Sequence, residues 1–251
     1  MSRFLDLATS LAASAAEQGR GIATTAAGRQ PKELLELYDI ENCPFCRLVR
    51  EAMTDLDLDV LVFPCPKNGV RYRPLVERLG GKQQFPFLFD PNTDTALYES
   101  ADIIAYLYQT YGSKPAPRRW LVRSLRTAAS MSASLLRSGL GLHARDATDP
   151  DQALVLYSFE ASPFARRVRE TLCEMEIPFE TRQMGRTRLE DWMPPPLREQ
   201  LRPDYHPEQR NRRQLLASAG RVAVPCLEDP NTGARLFESS SIIDYLHDQY
   251  S

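Results

Sequence analysis

A Cys-x-x-Cys stands opposite a Ser-x-x-Ala in two stretches that are otherwise the same unit. The first runs from Tyr38 through Asn42-Cys43-Pro44-Phe45-Cys46-Arg47 to Val49-Arg50-Glu51. The second runs from Tyr157 through Ala161-Ser162-Pro163-Phe164-Ala165-Arg166 to Val168-Arg169-Glu170, at a constant offset of 119. Further on, Asp90-Pro91-Asn92-Thr93 recurs as Asp229-Pro230-Asn231-Thr232, and Leu97-Tyr98-Glu99-Ser100 as Leu236-Phe237-Glu238-Ser239, now offset by 139. The second copy therefore carries 20 extra residues between its first helix and these motifs. A repeat of this length requires a fold made of two like units. A weaker match pairs Gly19-Arg20-Gly21-Ile22 with Gly139-Leu140-Gly141-Leu142, each behind a segment rich in small residues.

Composition sets the class. At 251 residues, 43% hydrophobic and 25% charged, the chain has room for two cores of ordinary globular character. A net charge of −2 gives no overall electrostatic case for nucleic acid. No stretch reaches the roughly 18 to 20 apolar residues needed to cross a bilayer. The first thirty residues lack a secretory apolar block and include Asp6 and Glu17, so they read as part of the mature fold. Five cysteines are too few for a disulfide scaffold, which makes a reducing cytoplasm the expectation.

The expected fold class is α/β, two tandem βαβαββα units, each preceded by a helical segment. The divisions fall at residues 1–33 (helical segment), 34–112 (first unit), 113–152 (helical linker) and 153–251 (second unit). Phe4, Leu7, Leu11 and Ala15 follow helical spacing, as do Leu121, Leu125, Ala128, Ser132 and Leu135. In the first unit, strands are expected over 34–39, 59–63, 87–89 and 96–98. Helices are expected from Pro44 to about Leu56, from Arg71 to Leu79 with Gly80-Gly81 as the stop, and after Ser100, which suits a cap. The second unit repeats the order from Leu154 to Tyr250. Its insertion, about 186–220, holds Pro194-Pro195-Pro196 and Arg210, Arg212 and Arg213, and reads as a solvated loop with some helix.

Cys43 sits where a strand gives way to a helix. Pro44 suits the first helical position because its missing N–H has no partner there anyway. The free N–H groups and the positive end of the helix dipole then favour a thiolate, with Arg47 one turn on as a further cation. Cys43 is thus the expected attacking sulfur, and Cys46, one turn down, the resolving one. Half of a zinc site and a pair of inert buried thiols are the alternatives. Zinc needs two more ligands, and the histidines are only His143, His206 and His247. No metal is expected.

Cys43-Pro44-Phe45-Cys46 after a strand, Phe85-Pro86 before a hairpin and Glu99-Ser100 at the last helix resemble a glutaredoxin and, more closely, the N-terminal domain of a glutathione transferase. The match covers about residues 34–112 and again 153–251. The resemblance implies a thioredoxin fold, a cis Pro86 beside the active thiol and glutathione as cosubstrate. Phe45 and the Phe85 backbone would flank its cysteinyl part, and Glu99 and Ser100 would hold its γ-glutamyl end. Its glycyl carboxylate needs a cation, with Lys67, Arg71 and Lys82 as candidates. Cys65 faces Met184 at the 119 offset; it is either an extra thiol near the pair or a small buried apolar residue.

In the second copy, Ser162-Pro163-Phe164-Ala165 resembles bacterial glutathione transferases in which a serine hydroxyl donates to the glutathione thiolate. With Val224, Pro225, Glu238 and Ser239, a second glutathione site is a candidate there, although serine cannot exchange disulfides. The long helical domain that follows in true transferases is not expected after either copy.

The resemblance points first to a glutathione-dependent thiol–disulfide oxidoreductase acting on disulfide or glutathionylated proteins. The alternatives are a transferase or isomerase using bound glutathione, for which the Cys-Pro-Phe-Cys of membrane-associated prostaglandin synthase is a hint, and a non-catalytic module binding glutathione or an iron–sulfur cluster. Substrate and oligomeric state are left open.

Overall fold

The computed structural model describes residues 3–16, 20–117, 137 and 139–251. Leu121, Leu125, Ala128, Ser132 and Leu135, and so most of the expected linker helix, lie outside the described residues.

In the first unit, β1 (Leu35–Asp39), α2 (Pro44–Leu56), β2 (Val60–Pro64), α3 (Arg73–Gly80), β3 (Phe87–Asp90), β4 (Thr95–Tyr98) and α4 (Ser100–Tyr111) follow helix α1 (Arg3–Ala16). The second unit repeats this as β5 (Leu154–Ser158), α5 (Pro163–Glu174), β6 (Phe179–Gln183), α7 (Arg210–Ala219), β7 (Cys226–Asp229), β8 (Ala234–Phe237) and α8 (Ser239–Tyr250). A 3₁₀ turn (Leu189–Trp192) and α6 (Pro195–Leu201) are the inserted pieces. In each unit the first two strands are parallel and the next two complete the sheet antiparallel.

The two units share one eight-stranded sheet in the order β4-β3-β1-β2-β6-β5-β7-β8. Its centre is the antiparallel pair β2–β6, in which Val60 faces Thr181, Leu61 faces Glu180 and Val62 faces Phe179. Since 180 is the repeat partner of 61, the join obeys two-fold geometry: each half presents the other with its own counterpart. Leu35, Leu37, Val49 and Met53 form one continuous core with Leu154, Leu156, Val168 and Leu172. Burying each such side chain stabilises the fold by about 1.5–3 kcal/mol. The largest cluster is common to both halves, with a smaller one on each side around Tyr38 and Phe87 and around Tyr157 and Leu215.

Helix α2 is set by Pro44 at its start and by Val49, Ala52, Met53 and Leu56 at three- and four-residue spacing. It stops at Asp57, whose φ of 57° is left-handed. Its polar residues do not face water. Arg47, Arg50, Glu51, Thr54 and Asp55 are buried with the apolar ones: Arg47, Arg50 and Thr54 meet Glu160 and Gln183 of the second unit, Glu51 meets Arg20, and Asp55 meets Thr25 and Tyr108. Helix α5 does the same with Arg166, Arg169, Glu170, Thr171 and Glu174.

Three expectations are corrected. Helix α1 buries Ser10 and Ala13, not the Leu7–Leu11 stripe, and Leu11 is 48% exposed. The reason is that α1 docks on α5 of the second unit through polar contacts. Ser10 Oγ donates to Pro163 O at 2.6 Å, and Asp6 pairs with Arg137 and Arg167. The segment 186–220 is largely exposed, with short helical pieces, only as far as about residue 208, and its last part departs from the solvated reading. Residues 210–219 are the regular second helix of the unit, matching α3, and Gln209, Asn211 and Arg212 are buried. Arg212 donates to Met184 O and Asn211 to Asp59 and Gln183 O, so this helix is pinned to the sheet. Finally, Ser100 is the first residue of α4 and not its cap. The cap position belongs to Glu99, at φ 63°, and its side chain makes no capping bond.

Candidate active site

The ends of β1, β2 and β3 meet at the start of α2. Tyr38 pairs with Phe87 and Asp39 with Pro64, which puts the turn after β1, Cys65 and Pro86 side by side. The Phe85–Pro86 bond is cis, as the resemblance implied, and so is Val224–Pro225 in the second unit. Gln84 ties this loop to the start of α4 by donating to the Glu99 carboxylate at 2.5 Å. Ser100 is buried beside it, Phe45 is 43% exposed, and Phe85 is half-buried.

Cys43 occupies the N-cap of α2 in extended conformation and is partly exposed, whereas Cys46 is fully buried. The Cys46 thiol donates to the Cys43 sulfur, and this bond leads in pulling Cys43 down to about 7. The backbone N–H groups of Cys46 and Phe45 and the charge of Arg50 act in the same direction, against burial. The expected cation, Arg47, is turned toward Glu160 of the second unit, 3.5 Å away. Burial, then Cys43 and Asp39, drive Cys46 well above the usual thiol range. Such a pair gives one sulfur ready to attack and one that holds its proton until needed.

The other three cysteines are buried, and burial raises each of them. Cys65 packs in a cluster with Tyr38, Val76 and Phe87, and its N–H donates to Asp39 O at 2.6 Å. Cys173 bridges the halves, accepting from Glu41 N and donating to Gly141 O.

Of the cations expected for a glycyl carboxylate, Arg71 is committed to the second unit. It donates to the carbonyls of Met175, Glu176 and Ala147. Lys82 Nζ lies 4.6 Å from the Tyr98 ring centroid, and Lys67 lies in a bridge with His143. Sequence reasoning passed over Arg73, whose guanidinium sits 4.7 Å above the Phe85 ring and donates to Cys65 O and Pro66 O. No motif marks it; only the fold brings it to the cis-proline loop.

Behind the thiols lies a buried ion cluster shared by both halves. Arg50 contacts Asp39, Glu41 (3.3 Å) and Glu160 (2.9 Å), and Arg169 contacts Glu41 and Glu160 (both 3.1 Å). Burial alone would raise Glu160, but Arg169, Arg50 and Arg47 outweigh it and hold the carboxyl at about 2. Asp39 is pushed up to about 6, burial outweighing Arg50, with Glu41 and Glu160 adding repulsion.

In the second unit the corresponding place is closed. Ser162 is 2% exposed and its hydroxyl accepts from Ala165 N. Ser239 accepts from Arg167, which Asp6 of α1 also engages. Val224 is half-buried, Pro225 buried and Glu238 exposed at φ 69°. Among the described residues no helix is long and apolar enough to cross a membrane, and no three His, Cys, Asp or Glu side chains group as a metal site.

The family model described as "Glutathione S-transferase, N-terminal domain" matches residues 37–115 and 156–251. A solved Bombyx mori glutathione transferase is 26% identical over 34% of this chain and 39% of its own, with a TM-score of 0.28. A delta-class glutathione transferase of Nilaparvata lugens is 27% identical over 32% and 37%, with a TM-score of 0.27. A trimeric glutathione transferase of Leishmania is 14% identical over 87% and 67%, with a TM-score of 0.29. The chain thus spans less than two-fifths of the first two structures. Among curated proteins nothing matches.

Proposed function

The chain belongs to the glutathione S-transferase N-terminal domain family and carries that domain twice, and from this premise we propose that it is a glutathione-dependent thiol–disulfide oxidoreductase with one working site. Cys43 attacks a disulfide or a glutathione mixed disulfide in a protein substrate, and Cys46 or a second glutathione resolves the result. The observation that carries this is the contrast among five thiols. Only Cys43 is both partly exposed and held near neutrality, while the other four are buried and raised.

Glutathione would lie along the cis Phe85–Pro86 loop, its γ-glutamyl end at Glu99 and Ser100, where the exposed N-terminus of α4 suits a carboxylate. Arg73 takes the place of the earlier candidates as cation for the glycyl end, supported by its position over Phe85.

The test is the pH dependence of Cys43 alkylation by iodoacetamide, followed by mass spectrometry of the labelled residue. The rate should rise to half its plateau near pH 7. In Cys46→Ser, which replaces the thiol donor, the midpoint should move. A wild-type midpoint at or above the free-cysteine value of about 8.5 would remove the basis for the reading.

A transferase or isomerase at the second unit is the competing reading. Its motif Ser162, Val224–Pro225 and Glu238–Ser239 is present, but the closed Ser162 and the occupied Ser239 weigh against an open site. Conjugation of a model electrophile that survives Cys43→Ser and fails in Ser162→Ala would favour it.

A further inference from the structure

The second unit carries, within its own chain, a segment seated on two cations that the first unit repeats. Arg186 matches Lys67 at the offset of 119, and Arg212 matches Arg73 at the offset of 139. Arg73 and Arg212 have the same local setting: the first donates to Cys65 O, and the second to the carbonyl of its repeat counterpart, Met184. The 20 extra residues of the second unit fall between Arg186 and Arg212. They bring two side chains back onto that pair. The Asp191 carboxylate lies 3.6 Å from Arg212 Nη1, and the Trp192 ring centroid lies 4.5 Å from the Arg186 guanidinium.

Asp191 is held as a bound carboxylate would be. It is 3% exposed and accepts from Thr187 N, Arg188 N and the Tyr205 hydroxyl, besides pairing with Arg212. Burial opposes its charge, but Arg212 and then Tyr205 hold the carboxyl below its usual value. The first unit has the cations without the segment. Lys67 is exposed, Arg73 is engaged by Cys65 O, Pro66 O and Gln83, and among the described residues neither cation pairs with an acid. Glu176, the acid that reaches this loop, accepts from the N–H groups of Val70 and Arg71 instead. The place is the thiol end of the sheet. Arg73 lies 4.7 Å over Phe85, next to cis Pro86, and the Cys65 N–H donates to Asp39 O, four residues before Cys43.

We propose that Lys67 and Arg73 form a docking face for an acidic segment of a protein substrate, in which an aspartate seats on Arg73 and the aromatic residue after it on Lys67; this rests on the oxidoreductase reading above. Charge selects the partner. A carboxylate on a guanidinium is a charge-assisted contact, and a cation over an indole ring adds attraction of its own. The second unit is closed to the same partner, because its own segment fills Arg186 and Arg212 at the high effective concentration of a short tether. Arg73 then serves the glycyl carboxylate of glutathione only after the protein segment has left.

The experiment follows the fluorescence anisotropy of a labelled, capped peptide with the sequence of residues 187–193, titrated with the full chain and with its Arg73→Ala and Lys67→Ala variants. The wild type should bind below about 1 mM, the concentration that a short tether supplies. Arg73→Ala should weaken binding by about tenfold, and so should Asp191→Asn in the peptide, as loss of one charged contact does. Lys67→Ala should weaken it by about threefold, as loss of a cation–ring contact does. Lys67 is exposed, so its variant carries the comparison if Arg73→Ala does not fold. Failure of the peptide to bind overturns the assignment. Equal binding by both protein variants, or by the asparagine peptide, also overturns it, since that marks adhesion without recognition of the acid. Anisotropy is read without thiol chemistry, which separates the two readings. Peptide binding to a protein unable to reduce disulfides keeps the docking face and removes the oxidoreductase reading, and reduction without peptide binding does the reverse.

Discussion

Replacing Cys43 with serine is expected to bring glutathione-dependent disulfide reduction down to the buffer background, while Cys46→Ser keeps part of the activity on glutathionylated substrates. The asymmetry follows from the positions of the two sulfurs. Cys43 is the one that a bulky disulfide can reach, and at about 7 it is substantially thiolate at neutral pH. A serine hydroxyl at the same helix start neither ionises nor forms a disulfide, and Ser162 shows that the local fold tolerates it. Cys46 contributes differently: it donates to Cys43, and in the proposed reaction it would close the intramolecular disulfide. An external glutathione can replace the second task and not the first. The measurement is a coupled assay on a small glutathione mixed disulfide and on a protein disulfide. Equal rates in the three proteins would sink the redox reading.

Glu160→Ala is expected to destabilise the fold by about 3–5 kcal/mol, the usual result of removing one partner from a buried ion cluster. Glu160 is the acid on which Arg47, Arg50 and Arg169 converge. Without it, three buried guanidinium groups share Asp39 and Glu41. Urea unfolding should show a lower midpoint at an unchanged slope. The same group sets an acid limit. Its folded pKa of about 2 lies below the ordinary 4.5. Its stabilisation is therefore present above pH 4.5 and is lost as pH falls toward 2. In the alanine variant that part of the acid dependence should vanish. A cost within about 0.5 kcal/mol, as for surface changes, would show that the cluster does not hold the halves together.

Element order and the placing of Cys43 and Cys46 at a helix start were legible because each rests on local signals. Pro44, Gly81 and the Asp90–Thr93 turn mark boundaries, and the repeat confirmed each boundary twice. The polar faces of α2 and α5 were not legible. Arg47, Arg50 and Glu51 at helical spacing look like a solvated face, and only the partner helix, some 119 residues away, turns them into an interior. Helix α1 misled for the same reason: its leucines suggest a packing stripe, yet its docking is done by Asp6 and Ser10. The Arg73 position was hidden because nothing in sequence joins it to Phe85. In the insertion, arginines suggested solvent, whereas Arg212 is used to hold α7 against Met184 O.

Where Leu61 faces Glu180, the join is that of a two-fold dimer in which both subunits happen to be on one thread. A true homodimer must repeat any substitution in both subunits. A single thread is free of that constraint: it can keep two sulfurs on one side of the axis and put serine and alanine on the other. The half with Ser162 and Ala165 then serves as a fixed wall, its Glu160 and Arg169 supplying counter-charges to Arg50 and Glu41 of the half that keeps the cysteines.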